Sequence, residues 1–348
     1  RAHAIFCHYE LPPTNFPMSF RAFIVSENPD GSPHYEIGER AISSLPENDI
    51  LVRVTHSSLN FKDALSASIH KGITYEYPHT PGIDAAGYVE EDRTGTFAQG
   101  DPVIVTGWDL GMNTSGGFSE YIRVPEHWVV PMPVGLTPRE AMIYGTAGFT
   151  AALSIYRLER HGLRPKTGDV VVTGATGGVG SMGVMMLAES GYSVTASTGK
   201  ADAEEEYLRS IGASAVIDRS EIDDRSGKPL LKRRWVGAID TVGGEPLSRL
   251  LAAMDYEGGI ATCGNVAGNE LTTSVYPLIL RGAALIGVNT STTPKELRTE
   301  LWNRIARDWK PSFIDSMSEE IPLDQLEEEI TRILRGERSR RAVVRIQN

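Results

Sequence analysis

Cysteine is scarce in this sequence, which has only Cys7 and Cys263 among its 348 residues. Two cysteines are too few for a disulfide framework or for a metal site built from several cysteine ligands. With no secretory leader recognisable in the sequence, this scarcity predicts a protein of the reducing cytoplasm.

Long apolar runs and an excess of positive charge are also missing. No run of about 18 apolar residues occurs, so no membrane span is predicted. Lysine and arginine number 34 against 45 aspartates and glutamates, which gives a net charge of −11. Nucleic-acid binding needs a basic surface, so this balance argues against it, although a local basic pocket for a phosphorylated small molecule remains compatible. The length and the 41% share of hydrophobic residues are typical of a globular protein with two domains.

The first 17 residues differ from the rest of the chain, because they include Pro12, Pro13 and Pro17 and show no regular period. A regular pattern begins at Met18. We interpret residues 1–17 as an N-terminal extension outside the fold. A transit peptide is the less favoured alternative, since the stretch has one arginine and no lysine.

Short strands joined by turns dominate from residue 20 to about residue 130, which predicts an all-β unit. Turn residues bound these strands, as in the sequence Asn-Pro-Asp-Gly at 28–31. The predicted strands are 20–25, 50–59, 84–89, 101–105 and 119–124.

Strands and helices alternate after Thr137, which begins a helix as an N-cap with Pro138 and Glu140 at the first and third helical positions. This alternation predicts a doubly wound parallel sheet. A final strand at 342–346 is expected to return to the β unit, so that the α/β domain is an insertion in it. The other predicted strands are 170–173, 192–196, 215–217, 236–242, 259–263 and 284–288, and the predicted helices are 179–190, 202–211 and 246–254.

A glycine-rich segment is the strongest functional signal. Gly174, Gly177 and Gly180 follow a strand and precede a helix, although Thr176 departs from the strict G-x-G-x-x-G spacing. In a dinucleotide-binding turn, Gly177 allows the backbone to approach the pyrophosphate and Gly180 allows the helix to pack closely on the sheet. The N–H groups at the start of the helix face the phosphate charge. The segment therefore predicts a dinucleotide site; the alternative is a tight strand–helix turn without a ligand.

The end of the next strand distinguishes the two nicotinamide cofactors. An NAD site usually has a carboxylate there, which binds the ribose hydroxyls. This sequence has instead Ser197, Thr198, Gly199 and Lys200, whose donors fit a 2′-phosphate. We therefore predict NADPH rather than NADH, although the acidic run 202–206 lies nearby and a lysine here also suits an ordinary surface.

Further glycines follow the later strands, at the edge where ligands bind in open α/β sheets. Val242, Gly243, Cys263, Gly264 and Asn265 are therefore expected to line the ribose and the nicotinamide. The alternative for each of them is a purely structural turn.

Taken together, these motifs resemble those of the medium-chain dehydrogenase/reductase superfamily, in its zinc-free quinone-oxidoreductase branch. Within that branch the sequence is most similar to the YhdH/YhfP-type family, the bacterial acryloyl-CoA reductases. The resemblance covers the chain from about residue 20 to its end. The matching segments are 58–65 (SLNFKDAL), 81–87 (PGIDAAG), 106–108 (TGW), 116–120 (GGFSE), 145–151 (GTAGFTA), the glycine-rich segment, 279–282 (ILRG) and 341–344 (RAVV).

The resemblance implies a GroES-like β domain interrupted by a Rossmann dinucleotide-binding domain. We place the two parts of the GroES-like domain at 18–143 and 290–348 and the Rossmann domain at 144–289. The family also implies a homodimer and the NADPH-dependent reduction of an activated carbon–carbon double bond or of a quinone. The expected small-molecule substrate is an enoyl thioester, an enone or a quinone.

The match to the family's motifs also implies cofactor-binding residues. Phe61 stands where a tyrosine usually lies against the cofactor, and it lacks the hydroxyl that orients the cofactor or relays a proton. Lys200 stands where the family commonly has arginine, and a lysine cannot form the bidentate phosphate contact of an arginine. The full set is Phe61; Thr146 at the nicotinamide carboxamide; Thr176, Gly177, Gly178, Val179, Gly180 and Ser181 at the pyrophosphate; Ser197, Thr198, Gly199 and Lys200 at the 2′-phosphate; and Val242, Cys263, Gly264, Asn265, Ile279, Thr290 and Arg341 elsewhere along the cofactor.

No metal site is predicted. The positions that supply catalytic zinc ligands in the wider superfamily are 60–63 and 83–84 here, and neither contains cysteine or histidine. His56, His70 and His79 are too scattered to replace them. Without a metal to stabilise an alkoxide, conjugate reduction is favoured over alcohol oxidation.

In a conjugate reduction, hydride attacks the β-carbon and hydrogen-bond donors stabilise the negative charge on the carbonyl oxygen. Asn60, Lys62 and Tyr144 are the candidate donors, and Asp63 is expected to orient Lys62. The alternative is that these residues of segment 60–63 are structural and hold the start of a helix against the cleft.

Three functions compete at this point. The reduction of acryloyl-CoA is favoured, and the basic residues Arg338, Arg340 and Arg341 suit the phosphates of coenzyme A, although they also suit the cap of a surface helix. A quinone or enone oxidoreductase is the second candidate. The third is an NADPH-binding protein with vestigial catalysis, which Phe61 keeps open.

Overall fold

The computed structural model describes residues 17–347, so the predicted N-terminal extension lies outside the described residues apart from Pro17. The first part of the chain forms β1 (Ser19–Glu27), β2 (Pro33–Ala41), β3 (Ile50–Leu59), α1 (Phe61–Ala67), β4 (Asp84–Asp92), β5 (Pro102–Thr106), β6 (Tyr121–Val124) and β7 (Val129–Pro131). The middle forms α2 (Pro138–His161), β8 (Asp169–Thr173), α3 (Gly178–Glu189), β9 (Ser193–Thr198), α4 (Ala201–Ser210), β10 (Ala215–Asp218), β11 (Trp235–Asp240), α5 (Gly244–Ala252), β12 (Met254–Thr262), α6 (Tyr276–Arg281) and β13 (Ala284–Gly287). The last part forms α7 (Lys295–Asp308), β14 (Ser318–Pro322), α8 (Leu326–Leu334) and β15 (Arg341–Arg345).

The middle of the chain forms a parallel sheet of six strands in the order β10-β9-β8-β11-β12-β13. Val170 and Val172 of β8 belong to one apolar core and Val171 to another, because helices cover both faces of the sheet. This strand order is that of the Rossmann fold and confirms the predicted doubly wound sheet. The order reverses between β8 and β11, so a crevice opens at the carboxyl ends of these two strands.

The β unit is built around a second sheet, in the order β14-β15-β3-β4-β5-β7, with β6 also paired to β3. β15 lies antiparallel to β3, with Ala342 opposite Leu59 and Arg345 opposite His56. The end of the chain therefore returns to the β unit, as predicted, and the parallel sheet is an insertion in a GroES-like domain. β1 and β2 form a separate antiparallel hairpin.

The long helix α2 joins the two domains and begins where the sequence predicts. Thr137 Oγ1 accepts a hydrogen bond from Glu140 N at 3.2 Å, and Glu140 Oε2 accepts one from Thr137 N at 2.9 Å. The helix is interrupted at Gly145, whose φ of 50° and ψ of −154° are not helical. A Cβ at Gly145 would lie 2.5 Å from both Asp84 Oδ2 and Ser58 Oγ, so only glycine fits this turn.

Several elements differ from the prediction: β2, β7, α6 and β14 were not predicted, and α5 has other bounds. The sequence pattern does not predict β2, because this strand is largely polar and buries none of its side chains fully. The predicted helix 246–254 ends at Ala252, since Met254 is already the first residue of β12 and pairs with Trp235. No helix between residues 17 and 347 is both long and apolar enough for a membrane span.

Candidate functional site

The glycine-rich segment forms the turn between β8 and α3. Gly174 has a φ of +60°, and a Cβ there would lie 2.3 Å from Thr241 Oγ1. Gly177 is the N-cap of α3, and a Cβ on Gly180 in its first turn would lie 2.2 Å from Gly174 O. The helix therefore starts in close contact with the end of β8. Its first N–H groups have no acceptor within the helix and, with the helix dipole, suit a phosphate.

A buried carboxylate at the end of β11, Asp240, holds three strand ends together. Its Oδ1 accepts from Thr173 Oγ1 at 2.8 Å, and its Oδ2 accepts from Thr262 Oγ1 at 2.9 Å and from Gly243 N at 3.1 Å. These donors belong to β8, to β12 and to the loop after β11. Asp240 therefore positions the loops of the crevice, and sequence reasoning missed it. The available signal was an aspartate that ends an apolar strand just before a glycine pair.

The loops after β11 and β12 lie against each other at this crevice. A Cβ at Gly243 would lie 2.7 Å from Gly264 O and 3.0 Å from Asn265 Cα. Cys263 N donates to Asp240 O at 2.9 Å, and burial raises the pKa of Cys263 to about 12, so its thiol is protonated at neutral pH. The structure thus brings these predicted cofactor-lining residues to one edge of the sheet.

The end of β9 carries the residues predicted for the 2′-phosphate. Thr176 Oγ1 and Thr198 Oγ1 lie 3.1 Å apart, and Thr198 Oγ1 accepts from Lys200 N at 3.2 Å. Lys200 Nζ donates to Ser339 Oγ at 3.3 Å, so the segment before β15 reaches this strand end. Ser197 is buried within the sheet. Ser339 is an addition that the sequence analysis did not make, because it is 139 residues away along the chain.

A second buried carboxylate, Asp84, lies at the start of β4. Its Oδ2 accepts from Ser58 Oγ at 2.6 Å and from Asn60 Nδ2 at 2.8 Å. Its Oδ1 accepts from Thr146 Oγ1 at 2.6 Å, and Thr146 N lies 2.9 Å from Oδ2. Asp84 therefore holds α2, just after its kink, against the β unit.

Asp63 lies beside Asp84 and fixes the first turn of α1. Its Oδ2 accepts from Asn60 N at 2.7 Å, and its Oδ1 accepts from Ile83 N at 2.8 Å. Asn60 Nδ2 also lies 3.2 Å from Asp63 Oδ2, so this amide bridges the two carboxylates. Contrary to the predicted role, Asp63 orients Asn60 and Ile83 rather than Lys62.

Arg341 supplies positive charge to the same region. Its guanidinium is buried and donates to Ser58 Oγ at 2.8 Å, to Leu59 O at 3.2 Å and to Ile143 O at 3.1 Å. A Cβ at Gly178 would lie 3.1 Å from Arg341 Nη1, so the guanidinium lies directly behind the first turn of α3. We define the buried polar cluster as Ser58, Asn60, Asp63, Asp84, Thr146 and Arg341.

The three predicted donors have different surroundings. Tyr144 is fully buried, its hydroxyl donates to Trp309 O at 2.6 Å, and burial raises the pKa of Tyr144 above its ordinary value. The side-chain amide of Asn60 donates within the buried polar cluster. Lys62 is half-buried, and its ammonium forms no ion pair or hydrogen bond with another residue of the described range. Lys62 is therefore the candidate whose donor is available to a substrate.

Arg298 of α7 is a buried cation that the sequence analysis does not identify. Its Nη1 donates to Thr106 O at 2.8 Å and its Nη2 donates to Thr290 O at 2.6 Å. The guanidinium lies 5.0 Å from the ring centre of Trp108 and 4.7 Å from that of Phe149. Burial lowers the pKa of Arg298 to about 10, so it remains charged at neutral pH. Arg298 is therefore a positioning residue for the end of β5 and for the predicted cofactor residue Thr290.

The remaining predicted cofactor residues lie around this crevice or on the surface. Val179 and Ser181 belong to the first turn of α3, and Val242 lies in the loop directly after β11. Phe61 is 47% exposed at the start of α1, and Ile279 is 68% exposed on α6. Neither of these two side chains is part of the core, so both are available to a ligand or to a partner.

The three predicted basic residues do not form one surface. Arg338 forms ion pairs with Glu319 and Glu329, and its side chain is only 5% exposed. Arg341 is buried, whereas Arg340 stacks on a tyrosine ring of α4. The structure therefore contradicts their interpretation as a joint site for the phosphates of coenzyme A.

The free energy of unfolding is expected to depend on pH through Asp63. Burial and the neighbouring Asp84 raise the pKa of Asp63 from 3.8 to about 7. The folded state then keeps a proton that the unfolded state has lost, so stability falls between about pH 4 and pH 7, by at most about 1.4 kcal/mol per pH unit. Urea unfolding of the wild type and of Asp63→Asn across this range measures the slope. The variant should lose this contribution, and equal slopes would contradict the assignment.

The interrupted β unit, the six-stranded parallel sheet and the glycine-rich turn together define a class of protein. Residues 46–134 match the alcohol dehydrogenase GroES-like domain, and residues 178–307 match the family described as zinc-binding dehydrogenase. The protein is an oxidoreductase of the medium-chain dehydrogenase/reductase superfamily. In the part of the chain that the structure describes, no group of three or more His, Cys, Asp or Glu side chains is arranged to hold a metal ion.

Within that superfamily the chain belongs to the YhdH/YhfP-type family. It is 44% identical to the putative quinone oxidoreductase YhfP of Bacillus subtilis, over 87% of this chain and 92% of that protein. The structure of Bacillus subtilis yhfP with NAD bound matches with a TM-score of 0.91, at 41% identity over 94% of this chain and 100% of that one. The chain is also 42% identical to the probable acrylyl-CoA reductase AcuI of Escherichia coli, over 93% of this chain and 99% of that protein. The yhdH oxidoreductase from Salmonella enterica in complex with NADP matches with a TM-score of 0.91, at 42% identity over 94% of this chain and 100% of that one.

Proposed function

We propose that this protein uses NADPH to reduce an activated carbon–carbon double bond, and that acryloyl-CoA or a similar enoyl thioester is its substrate. The observation that carries the proposal is the 42% identity to the probable acrylyl-CoA reductase AcuI over 93% of this chain. The geometry is compatible with it, because Arg341 of the buried polar cluster lies directly behind the first turn of α3, beside which the crevice opens.

The residues around the glycine-rich turn fit NADPH. A Cβ at Gly177 would meet only Gly174 O, at 3.2 Å, so the backbone leaves space for a diphosphate beside the free N–H groups of α3. At the end of β9, Thr198 and Lys200 provide donors and no carboxylate, which suits a 2′-phosphate. The Salmonella relative in complex with NADP supports this cofactor, and the Bacillus relative with NAD bound is the reason to test both.

NADPH, when bound, supplies the hydride that adds to the β-carbon of the alkene. The groups of the chain then have two tasks, which are to stabilise the negative charge on the carbonyl oxygen and to allow a proton to reach the α-carbon. We assign the first task to Lys62, because the donors of Asn60 and Tyr144 are already engaged. Solvent water is the simplest source of the proton.

Replacement of Lys62 by methionine is expected to lower kcat/KM for the enoyl thioester by about a hundredfold, the usual effect of removing one oxyanion donor. Tyr144→Phe is the matched control, because it also removes a predicted donor. That hydroxyl binds only Trp309 O, so its loss should cost about 1 kcal/mol of stability and leave kcat/KM nearly unchanged. Steady-state rates for both variants measure the difference. A rate in Lys62→Met equal to that of the wild type would rule out the assignment.

The proposed function is tested by following nicotinamide oxidation with three acceptors: acryloyl-CoA, a simple enone without coenzyme A, and a quinone. Each is measured with NADPH and with NADH. We expect the highest kcat/KM with acryloyl-CoA and NADPH. Faster turnover of the quinone, with no benefit from coenzyme A, would favour the quinone reductase that the name of the Bacillus relative indicates. Binding of NADPH without turnover of any acceptor would favour vestigial catalysis.

We further propose that the protein forms a homodimer. β13 is an edge strand of the parallel sheet, and apolar side chains near it are exposed: Val275 at 60%, Ile279 at 68% and Leu280 at 57%. Exposed apolar surface beside an open sheet edge is typical of a protein–protein interface. Light scattering on the protein as it elutes from a size-exclusion column should give twice the mass of the monomer. A monomer at micromolar concentration would refute the dimer.

A further inference from the structure

We propose that Arg219 is a second cation for the 2′-phosphate of NADPH and determines the preference for NADPH over NADH. This inference rests on the proposed cofactor, and it adds a residue that lies outside the glycine-rich turn and outside the segment at the end of β9. Arg219 is the first residue of a short 3₁₀ turn that follows β10.

The parallel sheet brings Arg219 to the right place. β10 pairs with β9, and Asp218 at the end of β10 lies opposite Thr198 at the end of β9. The two segments that follow these strands therefore leave the sheet side by side, with Arg219 next to Gly199. Because ligands bind beyond the carboxyl ends of parallel strands, both residues lie at the binding edge.

The absence of a side chain at Gly199 leaves room for the guanidinium. A Cβ built on Gly199 would lie 3.1 Å from Arg219 Nε and 3.2 Å from both Cδ and Cζ. Gly199 does not have a positive φ, so its backbone conformation does not itself require glycine. What glycine provides here is a surface on which the Arg219 side chain lies, directly beside the donors of Thr198 and Lys200.

The charge of Arg219 is available to a ligand. The side chain is exposed, and within residues 17–347 its guanidinium forms no ion pair or hydrogen bond. The adjacent carboxylate, Asp218, accepts instead from Ser220 N at 2.9 Å and from Ser220 Oγ at 2.6 Å. Asp218 is thus held by Ser220, and no carboxylate stands at the end of β9, where an exposed cation without an ion pair favours a phosphate.

Arg219 also restores what Lys200 lacks. A lysine ammonium acts on a phosphate as a point charge, whereas the planar guanidinium of arginine binds two phosphate oxygens at once. Lys200 Nζ already donates to Ser339 Oγ, so it is held at one side of the strand end. Arg219 then supplies the bidentate contact from the neighbouring strand.

The test measures cofactor binding in the absence of any alkene, by the change in nicotinamide fluorescence. Arg219→Met should raise the dissociation constant of NADPH by at least about tenfold and that of NADH by less than about twofold. The dissociation constant of NADPH for Arg219→Lys should lie between the values for Arg219→Met and for the wild type. Arg225→Met is the matched control, because Arg225 is 88% exposed on a loop of the same domain and pairs only with Asp223.

A second variant tests the contact without removing the charge. Gly199→Ala adds a methyl group where the guanidinium lies. It should weaken the binding of NADPH several-fold and leave the binding of NADH nearly unchanged. Equal losses for both cofactors in Arg219→Met would overturn the proposal, since they would indicate a contact with the shared part of the dinucleotide. Unchanged NADPH binding would also overturn it. Failure of the wild type to bind NADPH would instead overturn the proposed cofactor itself, and Arg219 with it.

Discussion

Replacing Asp84 with alanine is expected to lower the free energy of unfolding by about 3–5 kcal/mol. Asp84 is fully buried and accepts hydrogen bonds from Ser58, Asn60 and Thr146. The substitution leaves these donors without their acceptor. It also removes a negative charge that favours the buried cation Arg341, which is linked to Asp84 through Ser58. Urea unfolding of the purified protein measures the loss.

An exposed carboxylate provides the control for this experiment. Asp315 forms an ion pair with Arg139, but its side chain is 69% exposed. Such pairs contribute little, so Asp315→Ala should cost less than about 1 kcal/mol. Similar losses for Asp84→Ala and Asp315→Ala would mean that the buried polar cluster does not stabilise the fold.

The cluster also connects the two domains, which gives Asp84 a second effect. Asp84 holds Thr146 just after the kink in α2, and Arg341 lies behind the first turn of α3 at Gly178. A loss of Asp84 is therefore transmitted to both sides of the crevice. The buried polar cluster is therefore expected to support the proposed cofactor site. This agrees with the alternative interpretation in which residues 60–63 are structural.

Local patterns explain which parts of the fold were predictable. The helix start at Thr137 depends on contacts within three residues, and the close contact between Gly180 and Gly174 in the glycine-rich turn spans six. The central strands β8 and β11 of the parallel sheet are largely buried, so they have apolar runs that the sequence displays directly. β2 escaped prediction because its largely polar sequence carries no such run.

The parts of the site that escaped prediction depend on contacts between distant segments. Arg298 bonds to Thr106, which is 192 residues away, and nothing near either residue indicates the pair. Tyr144 and Thr146 are close in sequence, yet the kink at Gly145 sends Tyr144 to the core and Thr146 to the buried polar cluster. Only the backbone conformation at Gly145 distinguishes these two environments.

Replacing two glycines of the dinucleotide turn by alanine is expected to have different effects on the stability of the fold and on NADPH binding. A Cβ on Gly180 would lie 2.2 Å from Gly174 O and 2.8 Å from Ala175 Cα, and both are backbone atoms that cannot turn aside. Gly180→Ala must therefore shift α3 away from β8. We expect a loss of about 1–3 kcal/mol in the free energy of unfolding, together with the loss of NADPH binding.

Gly177→Ala should leave the fold nearly intact and still weaken the binding of NADPH. Its φ of −77° and ψ of 170° are open to alanine, and the new Cβ would meet only Gly174 O, at 3.2 Å. The methyl group instead occupies the space through which the diphosphate approaches, so the dissociation constant of NADPH should rise by at least about tenfold, or about 1.4 kcal/mol. Gly183→Ala in the same helix is the control. Its Cβ would contact the flexible end of the Ile239 side chain, and alanine is a better helix former than glycine, so this variant should not destabilise the protein appreciably. Thermal unfolding and cofactor fluorescence on the three variants separate the two effects. Equal behaviour of Gly177→Ala and Gly183→Ala toward NADPH would mean that the diphosphate does not pass this turn.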